Sequence, residues 1–540
     1  MIENKNENKD ANKKAVKTVS LIIILTAFSK ILGLLRTTLM AYFYGGSAEY
    51  AAFTVASRIP VDFFDMFFGA AILGVFIPVY NSFDSDSDKL KEKDDFTNIF
   101  LNFVILATGF IAFLGIVFSR QIINLTAPGY DEVKARLAAN LLMILFPMII
   151  FTGAVYTLTG ILQSKGEFFA PALVSAISNA GVIAYFIFLN ERFNIYGLGW
   201  AYLISWVIQL LTLIVPLTRK KYKYKYKFIL KLKNPAFIKS IKMSLPIMAG
   251  SWLVPVGMLI GLHFLSFSEQ SDFYTSAFDY STKVFLLATG ILTHGICNYI
   301  FPKLAQKAND ISEFEKIVKT GMSTACFVIL PVACLLYVLR GEAIAVLFMR
   351  GETTPELAAS AARMFAALAP AMIMFSIIEI LNRVFYSKNF VKFPMIASLA
   401  GIAVNFILCW VFISKLRLDP VYITFSVLIC QSVTAIILII ALKIKIKEIF
   451  DKKFMANIAK TVLSSGIMLI IIKILYYIIK NNAFDSGFIK NILVAGITAI
   501  AGLCVYILIN LILKTNEAKI FVKMLKKEKK RGDLKIDKRK

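Results

Sequence analysis

Apolar segments of about twenty residues or more recur along the whole sequence, and each is long enough to cross the hydrocarbon core of a bilayer as a helix. About fourteen can be distinguished by hydropathy. They lie near residues 18–43, 52–82, 98–118, 136–160, 169–189, 197–217, 243–265, 277–301, 320–340, 360–385, 394–414, 420–444, 456–479 and 490–513. Since 58% of residues are hydrophobic and only 17% are charged, the sequence predicts an all-α polytopic membrane protein.

Lysine and arginine are concentrated in alternate connections between these segments. The connections at 45–50 and 266–273 have neither, and carry acidic residues instead. The basic stretches lie at 5–17, 89–93, 219–242, 303–319, 383–392, 443–453 and 514–540. By the positive-inside rule, both termini of this multi-pass protein are predicted to be cytoplasmic. The net charge of +26 then reflects topology and contact with anionic lipids, and we expect no nucleic-acid binding.

Three prolines of the first half recur in the second half at nearly one spacing, which indicates an internal repeat. The pairs, 224, 223 and 223 residues apart, are Pro78 and Pro302, Pro147 and Pro370, and Pro171 and Pro394. Each repeat would contain six helices, and an even number gives both repeats the same orientation in the membrane. An arrangement of two such bundles that face a central site is common among transporters. Here two further helices follow the second repeat.

These patterns predict six regions along the chain. They are a cytoplasmic N-terminal segment at 1–17, an N-lobe of helices 1–6 at 18–217, a basic cytoplasmic linker at 218–242, a C-lobe of helices 7–12 at 243–445, two further helices at 446–513, and a basic cytoplasmic tail at 514–540.

Among the cations inside the apolar segments, four are candidates for binding a substrate. Lys30 and Arg36 are in the stretch 16–43, which has no acidic residue, and Arg58 and Lys283 are in the second and eighth segments. An unpaired cation at membrane depth costs a few kcal/mol, so it usually faces a water-filled cavity or a ligand. Positive charge on several helices therefore predicts an anion-binding site, with these four residues as the substrate-binding candidates.

Two of the four have an acidic residue one helical turn away, so each has a second interpretation as a structural pair. Arg58 precedes Asp62 by four residues, and Asp65 lies on the same face. Lys283 follows Asp279 by four residues. The sequence leaves both interpretations open for these cations.

Lys30 and Arg36 have no such neighbour, and their alternative is snorkelling or a partner on another helix. Glu379 could be a proton or cation site, but we expect it to pair with Arg383. The candidate gating or ion-pair residues are Glu49, Asp62, Asp65, Asp279, Glu379 and Arg383.

The sequence indicates no chemistry on a substrate. It has no recognisable nucleophile with an acid and base, and no phosphate-binding loop. All six cysteines fall in apolar segments and there are two histidines, so we expect neither a disulfide framework nor a metal site. We therefore predict a transporter without a cofactor, rather than an enzyme.

Short motifs along the chain resemble those of the MurJ/MviN family. They are FSKILGLLR at 28–36, YG at 44–45, RIP at 58–60, FIP at 76–78, APG at 127–129, LFMRG at 347–351 and RVFY at 383–386. The resemblance implies the multidrug/oligosaccharidyl-lipid/polysaccharide exporter fold and flipping of lipid II, the lipid-linked peptidoglycan precursor, from the inner to the outer leaflet. It also implies that the protein lies in the bacterial cytoplasmic (inner) membrane and that the two added helices form a groove for the polyprenyl tail.

The resemblance assigns the family's cationic positions to Lys30, Arg36 and Lys283. A family arginine and glutamate on the second helix are Phe64 and Gly69 here, and an acidic position before it is Ala51, with Glu49 two residues away. Helices seven and eleven contain no aspartate or glutamate, so the family resemblance does not extend to a sodium site that uses such residues.

Cations suit the implied substrate because a diphosphate headgroup carries about two negative charges through ~30 Å of hydrocarbon. The expected partner is lipid II or a similar polyprenyl-diphosphate-linked sugar, together with anionic lipids and proteins of cell-wall synthesis or division. Other possibilities are an exporter of an O-antigen or capsule unit or of small drugs, a membrane-embedded glycosyltransferase, and a non-transporting scaffold. The two added helices argue against drug export.

The topology makes one direct prediction. A cysteine at Ser47 should react with an impermeant thiol reagent added outside intact cells, whereas a cysteine at Asp88 should not, because the lysine distribution places the two on opposite sides. Labelling of both positions, or of the cysteine at Asp88 alone, would contradict the fourteen-helix arrangement.

Overall fold

The computed structural model describes residue 25 and residues 28–69, 72–83, 90–218, 226–446, 449–482 and 487–519, and every regular element within these ranges is a helix. The helices are α1 (28–44), α2 (Ala48–Phe64), α3 (Ile77–Ser82), α4 (Leu90–Val117), α5 (Ser119–Thr126), α6 (Glu132–Leu145), α7 (Met148–Ser164), α8 (Phe169–Phe188), α9 (Asn190–Leu217), α10 (Pro235–Ser251), α11 (Leu253–Leu265), α12 (Ser271–Gln306), α13 (Ile311–Val338), α14 (Arg340–Phe348), α15 (Pro355–Ser387), α16 (Lys392–Cys409), α17 (Ile423–Lys445), α18 (Lys452–Asn482) and α19 (Phe488–Ile512). The predicted segment 1–17 and the tail beyond residue 519 lie outside the described residues.

The predicted all-helical membrane fold is confirmed. Eleven single spans in the described residues are long and apolar enough to cross a membrane, and α10 with α11 makes a twelfth candidate, bent by 46°. These twelve correspond to the third to fourteenth predicted segments. Parts of the first two segments lie outside the described residues, so the total of fourteen stays a prediction.

The second predicted segment is the least regular span. After α2 the backbone continues as π turns at Asp65–Gly69 and Ile72–Phe76 before α3 begins. A Cβ at Gly69 would lie 2.9 Å from Oδ1 of Asp65, so the lack of a side chain at Gly69 leaves space for the Asp65 carboxylate. Single π turns in a helix often occur at functional sites, and this one lies directly after the candidate residues Arg58 and Asp62.

The chain forms two compact units. Unit 1 contains residues up to Ser276 together with Arg350–Thr354, and unit 2 contains Ala277–Met349 and the chain from Pro355 onward. Within unit 1, Nε1 of Trp252 donates a hydrogen bond of 2.9 Å to the carbonyl of Met66, which joins the seventh span to the second. The predicted lobe boundaries follow the sequence repeat and stay a prediction.

In unit 1, the APG motif at 127–129 packs against the turn that follows α11. The backbone N–H of Gly129 donates to Oγ of Ser266 at 3.1 Å. A Cβ at Gly129 would lie 2.2 Å from the carbonyl oxygen of Ser266, so only glycine permits this approach. The motif therefore has a structural role between α5 and α11.

Two other motif glycines meet at the end of α1. Gly351 has φ +56°, and its α-carbon lies so near Tyr42 that a Cβ would be 2.2 Å from the Tyr42 carbonyl oxygen. The N–H of Glu352 donates to that same carbonyl at 2.9 Å, and Oγ1 of Thr353 donates to the carbonyl of Ala41 at 2.9 Å. Gly45, with φ +48°, packs against the backbone of Glu352. The segment Arg350–Thr354 is thereby fixed to the end of α1.

In unit 2, the two added helices pack against α13 and α14. Leu335, Met468, Ile472 and Tyr506 form a buried apolar cluster between α13, α18 and α19. The hydroxyl of Tyr506 also donates to the carbonyl of Phe327 at 2.8 Å. The added helices are thus an integral part of unit 2.

Gly351 gives a stability prediction. Gly351→Ala places a Cβ at left-handed φ, which costs about 1–2 kcal/mol, and adds the overlap with Tyr42. We therefore expect the free energy of unfolding to fall by at least about 2 kcal/mol. Thermal unfolding of the purified protein in detergent measures this loss of stability.

The matched control is Gly341→Ala on α14, where a Cβ meets nothing within 4 Å. It should be neutral or stabilising by up to about 1 kcal/mol, since alanine suits a helix better than glycine. Equal unfolding temperatures for the two variants would refute the proposed constraint at Gly351.

Candidate functional site

Helix α1 packs against α8 through small residues. The side-chain amide of Asn179 donates to the carbonyl of Ser29 at 3.1 Å, and a Cβ at Gly33 would lie 3.3 Å from the same amide nitrogen. Ser29, Gly33 and Arg36 follow the i, i+4, i+7 spacing, so they share one stripe of the helix. Arg36 is consequently directed toward the helices of unit 1.

Arg36 is held against an aromatic ring. Its Cζ lies 5.3 Å from the ring centre of Tyr202 on α9, and that ring in turn contacts Phe53 on α2 edge to face, with centres 5.1 Å apart. Such a cation–π contact contributes roughly 0.5–2 kcal/mol. Arg36 therefore contacts α9 directly, and the Tyr202 ring contacts α2 in turn.

The guanidinium of Arg36 has a hydrogen-bond donor that is not used. Its Nε is buried and has no hydrogen-bond acceptor, and none of the described residues offers it a carboxylate within 4 Å. A buried donor without an acceptor costs about 1–3 kcal/mol, and more when it is charged. An anionic ligand that reaches this group would remove that cost, so Arg36 is the strongest anion-binding candidate in the described residues.

Lys30 is exposed and lies six residues before Arg36 on the same helix. Six residues rotate the helix by about 600°, so the two side chains leave it about 120° apart. Among the described residues, Lys30 has no carboxylate partner. Its long flexible side chain can still reach a ligand from a neighbouring face.

Arg58 and Asp62 interact within α2. Arg58 is half-buried, and its charge acts on the carboxylate of Asp62, which is 8% exposed. Among the described residues, Oδ2 of Asp62 has no hydrogen-bond partner, and Asp65 is exposed. Both interpretations of Arg58, as a partner of Asp62 and as a substrate contact, stay predictions.

Lys283 also has a carboxylate on its own helix. Its Nζ lies 2.6 Å from Oδ2 of Asp279, whose side chain is 4% exposed. The expected pair of Arg383 and Glu379 is present on α15, with 3.4 Å between nitrogen and oxygen. Lys283 is 30% exposed, so it can contact a ligand, but an anion must share it with Asp279.

The buried cation Lys134 was missed by sequence reasoning. Lys134 on α6 is 9% exposed, and its Nζ lies 2.6 Å from Oδ1 of Asp272 and 2.9 Å from Oγ of Ser271, both at the start of α12. Tyr130 covers it, with the ring centre 4.6 Å away. Its partners follow 137 and 138 residues later in the chain, so no local pattern indicates the pair.

The start of α6 is fixed next to this pair by Asp131. Its side chain accepts a hydrogen bond from the backbone N–H of Lys134 at 2.9 Å, which caps the helix. The same bond lowers the pKa of the Asp131 carboxyl below its ordinary value. The cap therefore persists at moderately acidic pH, which keeps Lys134 in position.

The apolar helices of this protein define a polytopic membrane protein. An inward-facing multidrug resistance MATE family transporter of the MOP superfamily matches with a TM-score of 0.61 and 13% identity, over 79% of this chain and 98% of that chain. A solved lipid II flippase MurJ in an inward closed conformation matches with a TM-score of 0.72 and 24% identity, over 90% of this chain and 98% of that one. At these identities both show the shared fold.

The family follows from the sequence comparison. The model of the lipid II flippase MurJ family matches residues 40–496, so the chain belongs to that family, whose members are transporters of a lipid and not enzymes. A probable lipid II flippase MurJ of Thermotoga maritima is 27% identical over 498 residues, covering 91% of this chain and 95% of that protein. One of Bdellovibrio bacteriovorus is 26% identical over 443 residues, covering 81% and 83%. The family predicted from the motifs is confirmed.

Arg36 gives the sharpest prediction for the site. Arg36→Ala should abolish complementation of a flippase-depleted strain while the protein stays abundant in the membrane. A charge-assisted hydrogen bond contributes about 1.5–3 kcal/mol, so losing one reduces transport roughly ten- to hundred-fold. Normal growth of the variant strain would reject Arg36 as the anion contact.

Lys283 needs a paired design, because Lys283→Ala also leaves the buried Asp279 carboxylate without its counter-ion. Lys283→Arg should retain function, and Lys283→Ala should lose it. The double variant Lys283→Ala, Asp279→Ala removes the stranded charge, so recovered abundance without recovered growth would separate a transport role from a folding role.

Proposed function

We propose that this protein moves the diphosphate-linked headgroup of lipid II from the inner to the outer leaflet of the cytoplasmic membrane by alternating access, with Arg36 as the main diphosphate contact. The observation that carries this proposal is half-buried Arg36, whose guanidinium lies over the Tyr202 ring and whose buried Nε–H has no acceptor among the described residues. Membership in the flippase family supports the identity of the anion.

A diphosphate suits this guanidinium for geometric reasons. Arginine presents two parallel N–H donors that match a pair of phosphate oxygens, and its positive charge persists at any physiological pH. Tyr202 limits the motion of the group, so less entropy is lost when the anion binds. Lys30 adds a mobile positive charge on the same helix, which suits a substrate that must later leave.

Lys283 is proposed as a further residue that contacts the substrate. Because Asp279 already holds its ammonium group at 2.6 Å, the diphosphate must weaken or share that pair. Such an exchange makes the strength of the Asp279–Lys283 pair depend on substrate. Competition with Asp279 also lowers the net affinity of Lys283 for the diphosphate, which favours release of the substrate on the outer side.

The two added helices are proposed to hold the polyprenyl tail. Their outward surfaces carry exposed apolar side chains that need a lipid environment; Ile470 is 63% exposed, Tyr477 68% and Ile500 67%. A tail that remains in hydrocarbon avoids the transfer of apolar surface into water. We also propose that both termini are cytoplasmic, that the basic connections contact anionic lipids, and that proteins of cell-wall synthesis or division are partners.

We propose that the membrane potential, rather than sodium, drives transport. Spans seven and eleven, at α10–α11 and α16, contain no aspartate or glutamate. A polar residue of α16 that could bind sodium is Asn405. It is 1% exposed, and its Oδ1 already accepts a hydrogen bond of 2.7 Å from Ser426. Moving one elementary charge across 100 mV is worth about 2.3 kcal/mol, which is sufficient to bias the direction of transport.

Proteoliposomes with an imposed potential test both the activity and its energy source. Labelled lipid II should change sides without changing mass. Replacing sodium by potassium or choline should alter the flipping rate by less than about twofold, because a tenfold change in rate would require about 1.4 kcal/mol from sodium binding. A steep dependence on sodium at fixed potential would contradict the energy source. Lipid II that changed in mass would contradict the transporter assignment.

A further inference from the structure

The hairpin of α12 and α13 contains a pocket of about 390 Å³, and all of its lining residues belong to unit 2. It lies between the last turns of α12 and the first turns of α13, next to the basic connection at 303–319. The positive-inside rule places that connection on the cytoplasmic side, so the pocket is at the level of the inner-leaflet headgroups. None of the residues assigned to substrate lines it.

The inner wall of the pocket is apolar and open. Ile296, Ile300 and Ile317 contribute aliphatic side chains, and Gly295 leaves a gap in which a Cβ would meet nothing within 4 Å. At Gly321 a Cβ would lie 2.6 Å from Cδ1 of Ile300, so this glycine allows α12 and α13 to approach closely at one end. A hydrocarbon chain is the occupant that such a wall favours, because it removes apolar surface from water.

The mouth of the pocket is cationic. Nζ of Lys303 lies 3.7 Å from the ring centre of Tyr299 and donates a hydrogen bond to its hydroxyl, which fixes the ammonium group at the rim. Lys316 lies on the opposite helix, 3.2 Å from Glu313 and 73% exposed. The three charged side chains of the lining therefore sum to a positive charge, and Lys303 is the lysine that is not paired with Glu313.

We infer that this pocket binds one anionic phospholipid of the inner leaflet, with an acyl chain on the isoleucine wall and the phosphate at Lys303. The combination of an apolar wall with a fixed cation at headgroup depth argues for a lipid rather than free phosphate. Free phosphate would leave the wall in contact with water. Such a lipid acts as a structural ligand of the α12–α13 hairpin and is separate from the transported substrate.

Native mass spectrometry of the purified full-length protein tests this inference with two lipids of equal acyl chains. Each lysine near a membrane surface contributes about 1 kcal/mol toward an anionic headgroup, so phosphatidylglycerol should be retained about fivefold more than phosphatidylcholine. Lys303→Gln keeps a hydrogen-bond donor but removes the charge, and it should abolish that preference. Gly295→Leu should fill the gap and reduce retention of both lipids.

Gly290→Leu is the matched control, because it lies on the same helix, outside the pocket lining, and a Cβ there also meets nothing within 4 Å. It should retain lipid as the unmodified protein does. Equal retention of the two lipids, or equal behaviour of the two leucine variants, would overturn the inference. Displacement of phosphatidylglycerol by inorganic phosphate, or by a polyprenyl diphosphate at equal concentration, would instead assign the pocket to free phosphate or to the transported substrate, and would also overturn it.

Discussion

Hydrocarbon cannot form hydrogen bonds with a peptide group, and the architecture of this protein follows from that constraint. All described regular elements are helices, and at two irregular positions another side chain supplies a hydrogen bond to the backbone. At Asn194 in α9 the backbone is kinked with φ +47°, and the hydroxyl of Tyr185 donates to the exposed carbonyl. The irregular second span is joined in the same way to Trp252, which donates to Met66.

The same medium makes each buried charge expensive, and the protein handles its charges in two ways. Lys283 and Lys134 each form an ion pair with a carboxylate in their own unit, so an anionic ligand would have to share either cation with its carboxylate. Arg36 instead contacts the face of Tyr202 and keeps a buried donor without an acceptor. Of these three, only at Arg36 does the substrate have to supply the hydrogen-bond acceptor and the negative charge for the cation. The contrast is the physical basis for placing the diphosphate at Arg36.

Local interactions could be predicted from the sequence, and distant ones could not. Hydropathy located twelve spans because each is a property of one continuous segment, and the i,i+4 rule located the Glu379–Arg383 pair. The contact of Arg36 with Tyr202, the Lys134–Asp272 pair and the packing of Gly351 on Tyr42 join residues far apart in the chain. Their geometry is decided by which helices pack together, which no single-sequence pattern contains. The motif glycines Gly129 and Gly351 were recognised from the resemblance, but their cause, a backbone approach that excludes a Cβ, required the structure.

The most direct test of this account is the distribution of lipid II between the two leaflets in a strain whose only lipid II flippase is this protein. Depletion of the protein should move lipid II from the outer to the inner leaflet, and re-expression of the unmodified chain should restore it. An equal amount of the Arg36→Ala variant should leave lipid II on the inner leaflet. Restoration by that variant, or an outer-leaflet pool that does not change on depletion, would contradict the central claim that Arg36 carries the diphosphate across.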